Sequence, residues 1–172
     1  MVVIQKDNQV HLIDSINQNI VKEFKKSFET ALDKPNKNIE LHLSSSGGSV
    51  DAAHKIIDIL MTSYKPIELY IHNTLSYGGY SGVASAATII AAYCAKKYID
   101  ANATFLIHHA RDANTHKIQY DEDNILFWMQ QTGQDYNKIK KYLKNETKIN
   151  SENALVDGFV DDIIYKNYEL PL

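Results

Sequence analysis

Cysteine and proline are scarce in this chain of 172 residues, and it contains no long hydrophobic run. The one cysteine, Cys94, excludes an internal disulfide and a zinc site built from several thiolates. The most apolar stretch, residues 83–95, is too short and too rich in alanine to span a bilayer. The first residues also lack the basic and then apolar order of a signal peptide. These absences predict a cytoplasmic protein in a reducing compartment.

Neither sign of charge dominates, because 18 basic residues stand against 21 acidic ones and give a formal net charge of −3. Without a basic block, the composition gives no reason to expect nucleic acid as a partner. The hydrophobic share of 44% and the charged share of 23% are those of an ordinary globular protein. We therefore expect a single domain over residues 1–172, and nothing in the sequence requires a cofactor or a metal.

Hydrophobic periodicity predicts an alternation of strands and helices along the chain. The predicted strands are 10–13, 39–43, 67–71, 98–99 and 104–107. The predicted helices are 15–32, 50–61, 84–95, 121–131 and 135–145, with a loop over 74–82. This order favours an α/β fold with right-handed crossovers between parallel strands.

Two glycines, Gly47 and Gly48, lie between a predicted strand and a predicted helix. Glycine there permits unusual backbone dihedrals and lets a ligand approach the main chain, although a simple turn would use the same residues. Ser85 opens the alanine-rich helix, where it is either a nucleophile or an N-cap serine. His108 ends an apolar strand, as a general base or as an ordinary polar residue at a strand end. His108 and His109 are not a metal pair, since adjacent strand residues point to opposite faces.

Taken in order, these segments resemble the ClpP family of self-compartmentalising serine peptidases. The nucleophile segment is most similar to that of the phage-type branch of the family. The matching blocks are 45–50 (SSGGSV, with Ser46 where the family has proline), 84–91 (ASAATIIA), 105–108 (FLIH), 132–134 (TGQ) and 158–161 (GFVD). The resemblance implies a ClpP/crotonase-like α/β fold of repeated ββα units with a helical handle. The head would comprise about 1–110 and 147–172, and the handle about 111–146.

The resemblance also implies a role for each matching residue. Ser85 would be the nucleophile, His108 its general base, and the N–H groups of Gly48 (or Gly47) and Ala86 the oxyanion hole. The substrate would be a peptide or an unfolded protein, cleaved inside a chamber in the bacterial cytosol or the cytosol of a phage-infected host. The chain would assemble with itself as a heptameric ring, and stacking into a tetradecamer stays open. An AAA+ unfoldase is a weaker expectation, because the chain begins almost at the first strand and lacks the family's N-terminal axial segment.

Two departures from the family leave site residues open. Roughly nine extra residues lie between the predicted strand 67–71 and Ser85, and they contain Ser76 and Ser81. We prefer Ser85, because 23 residues then separate the nucleophile from His108 without a gap, whereas Ser76 would leave 32.

The triad acid is the second departure. The family's aspartate falls on Tyr142, so Glu146 is the predicted acid, with Asn145 or no residue at all as alternatives. We therefore predict a serine endopeptidase with Ser85, His108 and Glu146 as catalytic residues. The competing hypotheses are a catalytically impaired structural or assembly subunit and a crotonase-type acyl-CoA enzyme.

Overall fold

The computed structural model of the chain describes residues 2–35, 37–74, 81–112, 114–166 and 169. Strands and helices alternate through most of these ranges. The strands are β1 (Val2–Lys6), β2 (Gln9–Ile13), β3 (Ile39–Ser44), β4 (Ile67–Ile71), β5 (Gly82–Ala84), β6 (Lys96–Asp100), β7 (Thr104–Leu106), β8 (Ile149–Asn150) and β9 (Asp162–Ile164). The helices are α1 (Gln18–Leu32), α2 (Val50–Leu60), α3 (Ala86–Ala92), α4 (Glu122–Thr132), α5 (Tyr136–Asn145) and α6 (Ser151–Val156). None of these helices could span a bilayer.

Two sheets organise the molecule. The larger has the strand order β1-β2-β3-β4-β6-β9, in which β1 pairs antiparallel with β2 and every later pair is parallel. The smaller has the order β5-β7-β8, with β5 parallel to β7. This mixed α/β architecture confirms the predicted fold class.

Helices α1 and α2 follow from amphipathic patterns. The apolar stripe of α1 buries Ile20, Phe24 and Phe28, and the Asn17 side chain caps its N-terminus by accepting from two backbone N–H groups. The next cap is Ser49, whose hydroxyl accepts from the N–H of Ala52 at 3.2 Å. The predicted helices at both places are confirmed within a few residues.

The predicted helix over 84–95 is wrong at both ends. Ala84 belongs to β5, where it lies opposite Leu106 of β7, and α3 begins only at Ala86. The residue between them, Ser85, has φ = 56°, which is incompatible with a right-handed helix. Pairing with a strand distant in sequence therefore overrides the helical preference of the alanines.

Strands β1 and β9 were not predicted. β1 joins β2 through the two-residue turn Asp7-Asn8, and Asp7 has φ = 56°. Positive φ is typical of hairpin turns of this length, and aspartate and asparagine favour them. The polar residues Asp7 and Asn8 are therefore the local signal for this hairpin. β9 is three residues long and pairs with β6, so it carries too little periodicity to be recognised.

One row of buried polar side chains crosses the larger sheet. His11 stacks on His42 with 4.3 Å between ring centroids, and Nδ1 of His42 lies 2.8 Å from Nε2 of His72. The Asp100 carboxylate accepts from Nδ1 of His72 at 3.0 Å. Burial, and then the charges of His11 and His72, lower the pKa of His42 to about 2, so a neutral ring suits His42 at this place.

Acid should therefore destabilise the fold. Burial, and then the charges of His72 and Lys6, lower the pKa of His11 to about 4, well below the 6.5 of an exposed histidine. Between pH 6.5 and pH 4, His11 is protonated in the unfolded chain but not in the folded one, so the free energy of unfolding falls as the pH is lowered through this range. We expect a loss of about 3 kcal/mol in the free energy of unfolding from this group.

Urea unfolding at several pH values measures this effect. His11→Phe keeps a ring against His42 and should remove the share of His11 from the pH dependence between pH 6.5 and 4. Burial also lowers the pKa of His42 to about 2, so the share of His42 should remain in this variant. His54 is exposed on α2, so His54→Gln should leave the dependence of the wild-type chain unchanged. An equal slope in the wild-type chain and His11→Phe would contradict the assignment.

Candidate active site

Ser85 occupies a sharp turn between β5 and α3. Its backbone lies at φ = 56° and ψ = −128°, a region that L-residues rarely adopt, and its N–H donates to the carbonyl of Leu106 at 3.0 Å. Its hydroxyl makes no capping bond to α3 within the described residues, so the N-cap interpretation lacks its hydrogen bond. The side chain is half-buried. A strained turn thus presents a hydroxyl that the helix does not use.

Gly47 packs directly against this turn. A Cβ at Gly47 would lie 2.6 Å from the carbonyl oxygen of Ala84 and 2.7 Å from Cβ of Ser85. At Gly48 a Cβ would lie 2.2 Å from the carbonyl oxygen of Ile16. Both glycines have positive φ, 94° and 141°. Gly47 is therefore required for the main chain to approach Ser85 this closely, and Gly48 for its approach to Ile16.

The backbone N–H groups around Ser85 differ in whether they have a hydrogen-bond acceptor within the described residues. The N–H of Gly47 donates to the hydroxyl of Ser45 at 3.1 Å. Within the described ranges, no acceptor is found for the N–H of Gly48 or of Ala86. Of the three predicted oxyanion donors, Gly48 and Ala86 are therefore the two that retain an unused N–H.

His108 follows β7, the strand that pairs with β5. Its Nδ1 lies 2.5 Å from the carbonyl oxygen of His109. A carbonyl can only accept, so Nδ1 carries the proton and Nε2 has the lone pair of a base. The hydrogen bond therefore selects the tautomer that a general base requires.

Ser85 and His108 line one cleft of about 390 Å³. The rest of its lining includes apolar side chains from three helices and polar groups from α2 and the start of α4. Its larger apolar members include Val50 from α2, Ile89 from α3, and Phe127 and Trp128 from α4. We call it the Ser85 cleft. The structure thus brings the predicted nucleophile and base to one cleft with an apolar wall.

The predicted acid lies elsewhere. Glu146 follows the last residue of α5 and forms an ion pair with Arg111. Asn145 is exposed, and the hydroxyl of Tyr142 donates to Asp157 at 2.5 Å. In the parts of the chain that the structure describes, none of these three hydrogen-bonds to His108.

The alternative nucleophiles gain no support from their positions. Ser81 lies just before β5, its hydroxyl donates to the carbonyl of Asn102 at 3.4 Å, and it does not line the Ser85 cleft. Ser76 lies outside the described residues. The geometry therefore favours Ser85 over Ser81.

Several polar residues that line the cleft are not predicted from the sequence. Asp121, Asp123 and Asn124 come from the start of α4, and His54 comes from α2. The Asn124 amide donates to the carbonyl of His108 at 3.4 Å. Only the packing of α2 and α4 shows which of their residues line the cleft. No set of three or more histidine, cysteine, aspartate or glutamate residues in the described part could hold a metal ion.

Comparison with known proteins finds Clp proteases both among family models and among solved structures. A family model described as "Clp protease" matches residues 1–167. The solved structure of ClpP1 from Listeria monocytogenes superposes with a TM-score of 0.74 at 22% identity, covering 93% of this chain and 92% of that chain. The ClpP protease catalytic domain from Plasmodium falciparum gives 0.70 at 22% identity, covering 95% and 88%. At such identities the solved structures show that the fold is shared.

The contact between Gly47 and Ser85 predicts a large effect of one methyl group. Gly47→Ala should lower the free energy of unfolding by about 3 kcal/mol, because backbone strain adds to a clash with Ala84 and Ser85. Gly133 also has positive φ, but a Cβ there would meet nothing within 4 Å. Gly133→Ala should therefore cost only about 1 kcal/mol. Equal losses in urea unfolding of the two variants would contradict the close approach at Gly47.

Proposed function

The chain belongs to the Clp protease family and is a serine endopeptidase, and we propose that Ser85 and His108 are its nucleophile and general base. One observation carries this proposal. The hydroxyl of a strained turn and an imidazole with a usable Nε2 line the same cleft, at the ends of two paired parallel strands.

In the first half of the reaction, Oγ of Ser85 attacks the scissile carbonyl carbon while Nε2 of His108 takes the hydroxyl proton. The carbonyl oxygen becomes an oxyanion, which the N–H groups of Gly48 and Ala86 are free to stabilise. The C–N bond then breaks, and the imidazolium returns its proton to the leaving amine. An acyl-enzyme on Ser85 is left.

In the second half, water replaces the amine. His108 takes a proton from water as the hydroxyl attacks the acyl carbon, and the same N–H groups receive the second oxyanion. The bond to Oγ breaks, the proton passes from His108 to Ser85, and the carboxylic acid leaves. The net reaction is hydrolysis of one peptide bond.

The orientation of His108 does not need a carboxylate in this proposal. The carbonyl of His109 holds Nδ1–H at 2.5 Å, and Asn124 donates to the carbonyl of His108 itself. The first bond fixes the tautomer and the second ties the histidine backbone to α4. The predicted role of Glu146 as triad acid has no support in these contacts, because its carboxylate pairs with Arg111.

Self-assembly into a ring that encloses the active sites is the second element of the proposal. The family implies a heptamer, with residues 111–146 as the handle between stacked rings. Within that segment Tyr120 and Leu126 are large apolar side chains that stay more than half exposed. Native mass spectrometry should detect assemblies of seven or fourteen chains, and a monomer at micromolar concentration would contradict a chamber. A peptide or unfolded-protein substrate fits such a chamber, and an AAA+ unfoldase remains an expectation from the family.

Covalent labelling tests the nucleophile. A serine-directed fluorophosphonate should modify Ser85, as located by peptide mass spectrometry, because only an activated hydroxyl reacts quickly. Ser85→Ala should abolish the label, and His108→Ala should slow labelling and peptide hydrolysis by about 1000-fold or more.

Ser81→Ala is the matched control, since Ser81 precedes the same strand and lies outside the cleft. Ser81→Ala should still be labelled on Ser85 and should hydrolyse peptides at the wild-type rate. A label on Ser76 or Ser81 would move the nucleophile to that residue. No label on any serine of the assembled protein would leave a catalytically impaired family member. That form is favoured by the fact that no carboxylate among the described residues hydrogen-bonds to the His108 ring.

Replacement of Glu146 tests the triad acid. Glu146→Gln should change kcat/KM for a peptide by less than about threefold, because the contacts of His108 do not include it. A true triad acid would lose about 10⁴-fold on conversion to its amide. A loss of that size, with labelling of Ser85 slowed in parallel, would show that Glu146 reaches His108 in the working enzyme.

A further inference from the structure

The wall of the Ser85 cleft that α4 supplies carries two carboxylates, Asp121 and Asp123. We infer that these two residues determine specificity, and that the enzyme prefers peptides with a lysine or arginine close to the apolar side chain at the scissile bond. This inference rests on the proposed function, because it takes the Ser85 cleft as the peptide-binding site.

The cleft joins two kinds of surface. Phe127 and Trp128 form apolar wall on the same helix whose first turn carries the carboxylates. Asp123 precedes Phe127 by four residues, so both lie on one side of α4. A substrate side chain packed against the aromatic wall therefore places its neighbour within reach of Asp123. The other ionisable groups of the cleft are the imidazoles of His54 and His108 and the phenol of Tyr93.

Several carboxylates elsewhere in the chain form ion pairs, unlike the two in the cleft. Asp51, Glu146 and Asp157 each pair with a lysine or arginine. Within the described ranges, neither Asp121 nor Asp123 has such a partner. The Asp121 carboxylate accepts from the backbone N–H of Asp123 at 2.9 Å. Negative charge in the cleft is thus not compensated by a cation of the chain itself.

Helix capping explains why acidic residues lie at the start of α4, but it does not explain why two of them line the cleft. Asp121 is the N-cap of α4, and Glu122 and Asp123 both lie in its first turn, where acidic residues favour helix formation. Glu122 serves the helix equally well, yet it accepts from the hydroxyl of Tyr136 on α5 and does not line the cleft. Glu122 therefore has the same charge in the same turn and faces another surface, which makes it a matched control.

Substrate charge should act on binding and on association. A lysine beside an exposed carboxylate gains a modest ion pair, and a glutamate at the same place is repelled. We expect kcat/KM to be about five to ten times higher for a lysine peptide than for its glutamine counterpart, and lowest for glutamate. Because the Debye length shortens to about 3 Å at 1 M salt, the preference should shrink as salt rises.

The experiment uses the assembled full-length protein and internally quenched peptides with one fixed leucine. Lysine, glutamine or glutamate is placed in turn at each of the three positions on either side of it. At one or two positions the lysine-to-glutamine ratio of kcat/KM should exceed about five. Asp123→Asn and Asp121→Asn should bring that ratio towards one. Asparagine keeps the N-cap, so the helix is preserved in Asp121→Asn.

Glu122→Gln removes the same charge from the same turn and should leave the ratio as in the wild-type enzyme. Equal loss of preference in Glu122→Gln and Asp123→Asn would overturn the inference, because net charge alone would then be responsible. Equal rates for lysine and glutamine at every position would overturn it as well.

Fluorophosphonate labelling separates these results from failure of the proposed function. A wild-type enzyme that labels on Ser85 and shows no charge preference overturns only the specificity. A chain that neither labels nor cleaves any peptide overturns the proposed function, and the specificity with it.

Discussion

The parallel pairing of β5 with β7, extended on its other side by the end of β3, is the constraint on which the site depends. Ser45, which directly follows β3, bonds to β5 twice, since its N–H donates to the carbonyl of Gly82 and its own carbonyl accepts from the N–H of Ala84. A Cβ at Gly82 would lie 2.1 Å from the carbonyl oxygen of Thr104, so only glycine fits there. Three short segments, distant in sequence, therefore end side by side. Their ends carry the glycine pair, the serine and the histidine.

The strain at Ser85 is held by this same pairing. Its positive φ costs about 1–2 kcal/mol, and the bond from its N–H to Leu106 together with the packing of Gly47 keeps the turn in place. An alanine-rich segment would continue as helix in isolation, so here tertiary structure overrules local preference. Conflicts of this kind, between local conformational preference and tertiary structure, are concentrated at functional sites, where the geometry of the site matters more than stability.

Periodic elements were predictable, and contacts across elements were not. The stripe of Ile20, Phe24 and Phe28 determines α1 almost alone, because each residue contributes to one local repeat. The motifs around Gly47, Ser85 and His108 identified the family, since several blocks in order restrict the choice far more than one. Asp121 and Asp123 could not be found this way. Their place in the cleft depends on how α4 packs against β7, and no local pattern records that. The ion pair of Glu146 with Arg111 could not be predicted for the same reason, because it joins residues 35 apart in sequence.

The contacts of His108 separate two tasks that a triad acid normally combines. A carboxylate both selects the tautomer and stabilises the imidazolium that forms during acyl transfer. The carbonyl of His109 selects the tautomer but has no net charge, so its stabilisation of the imidazolium is weaker than a carboxylate would provide. The carboxylates that line the cleft with His108 are those of Asp121 and Asp123. In the proposed function these carboxylates act on the substrate, while the backbone carbonyl of His109 orients the base, so the tasks of a triad acid fall to different groups.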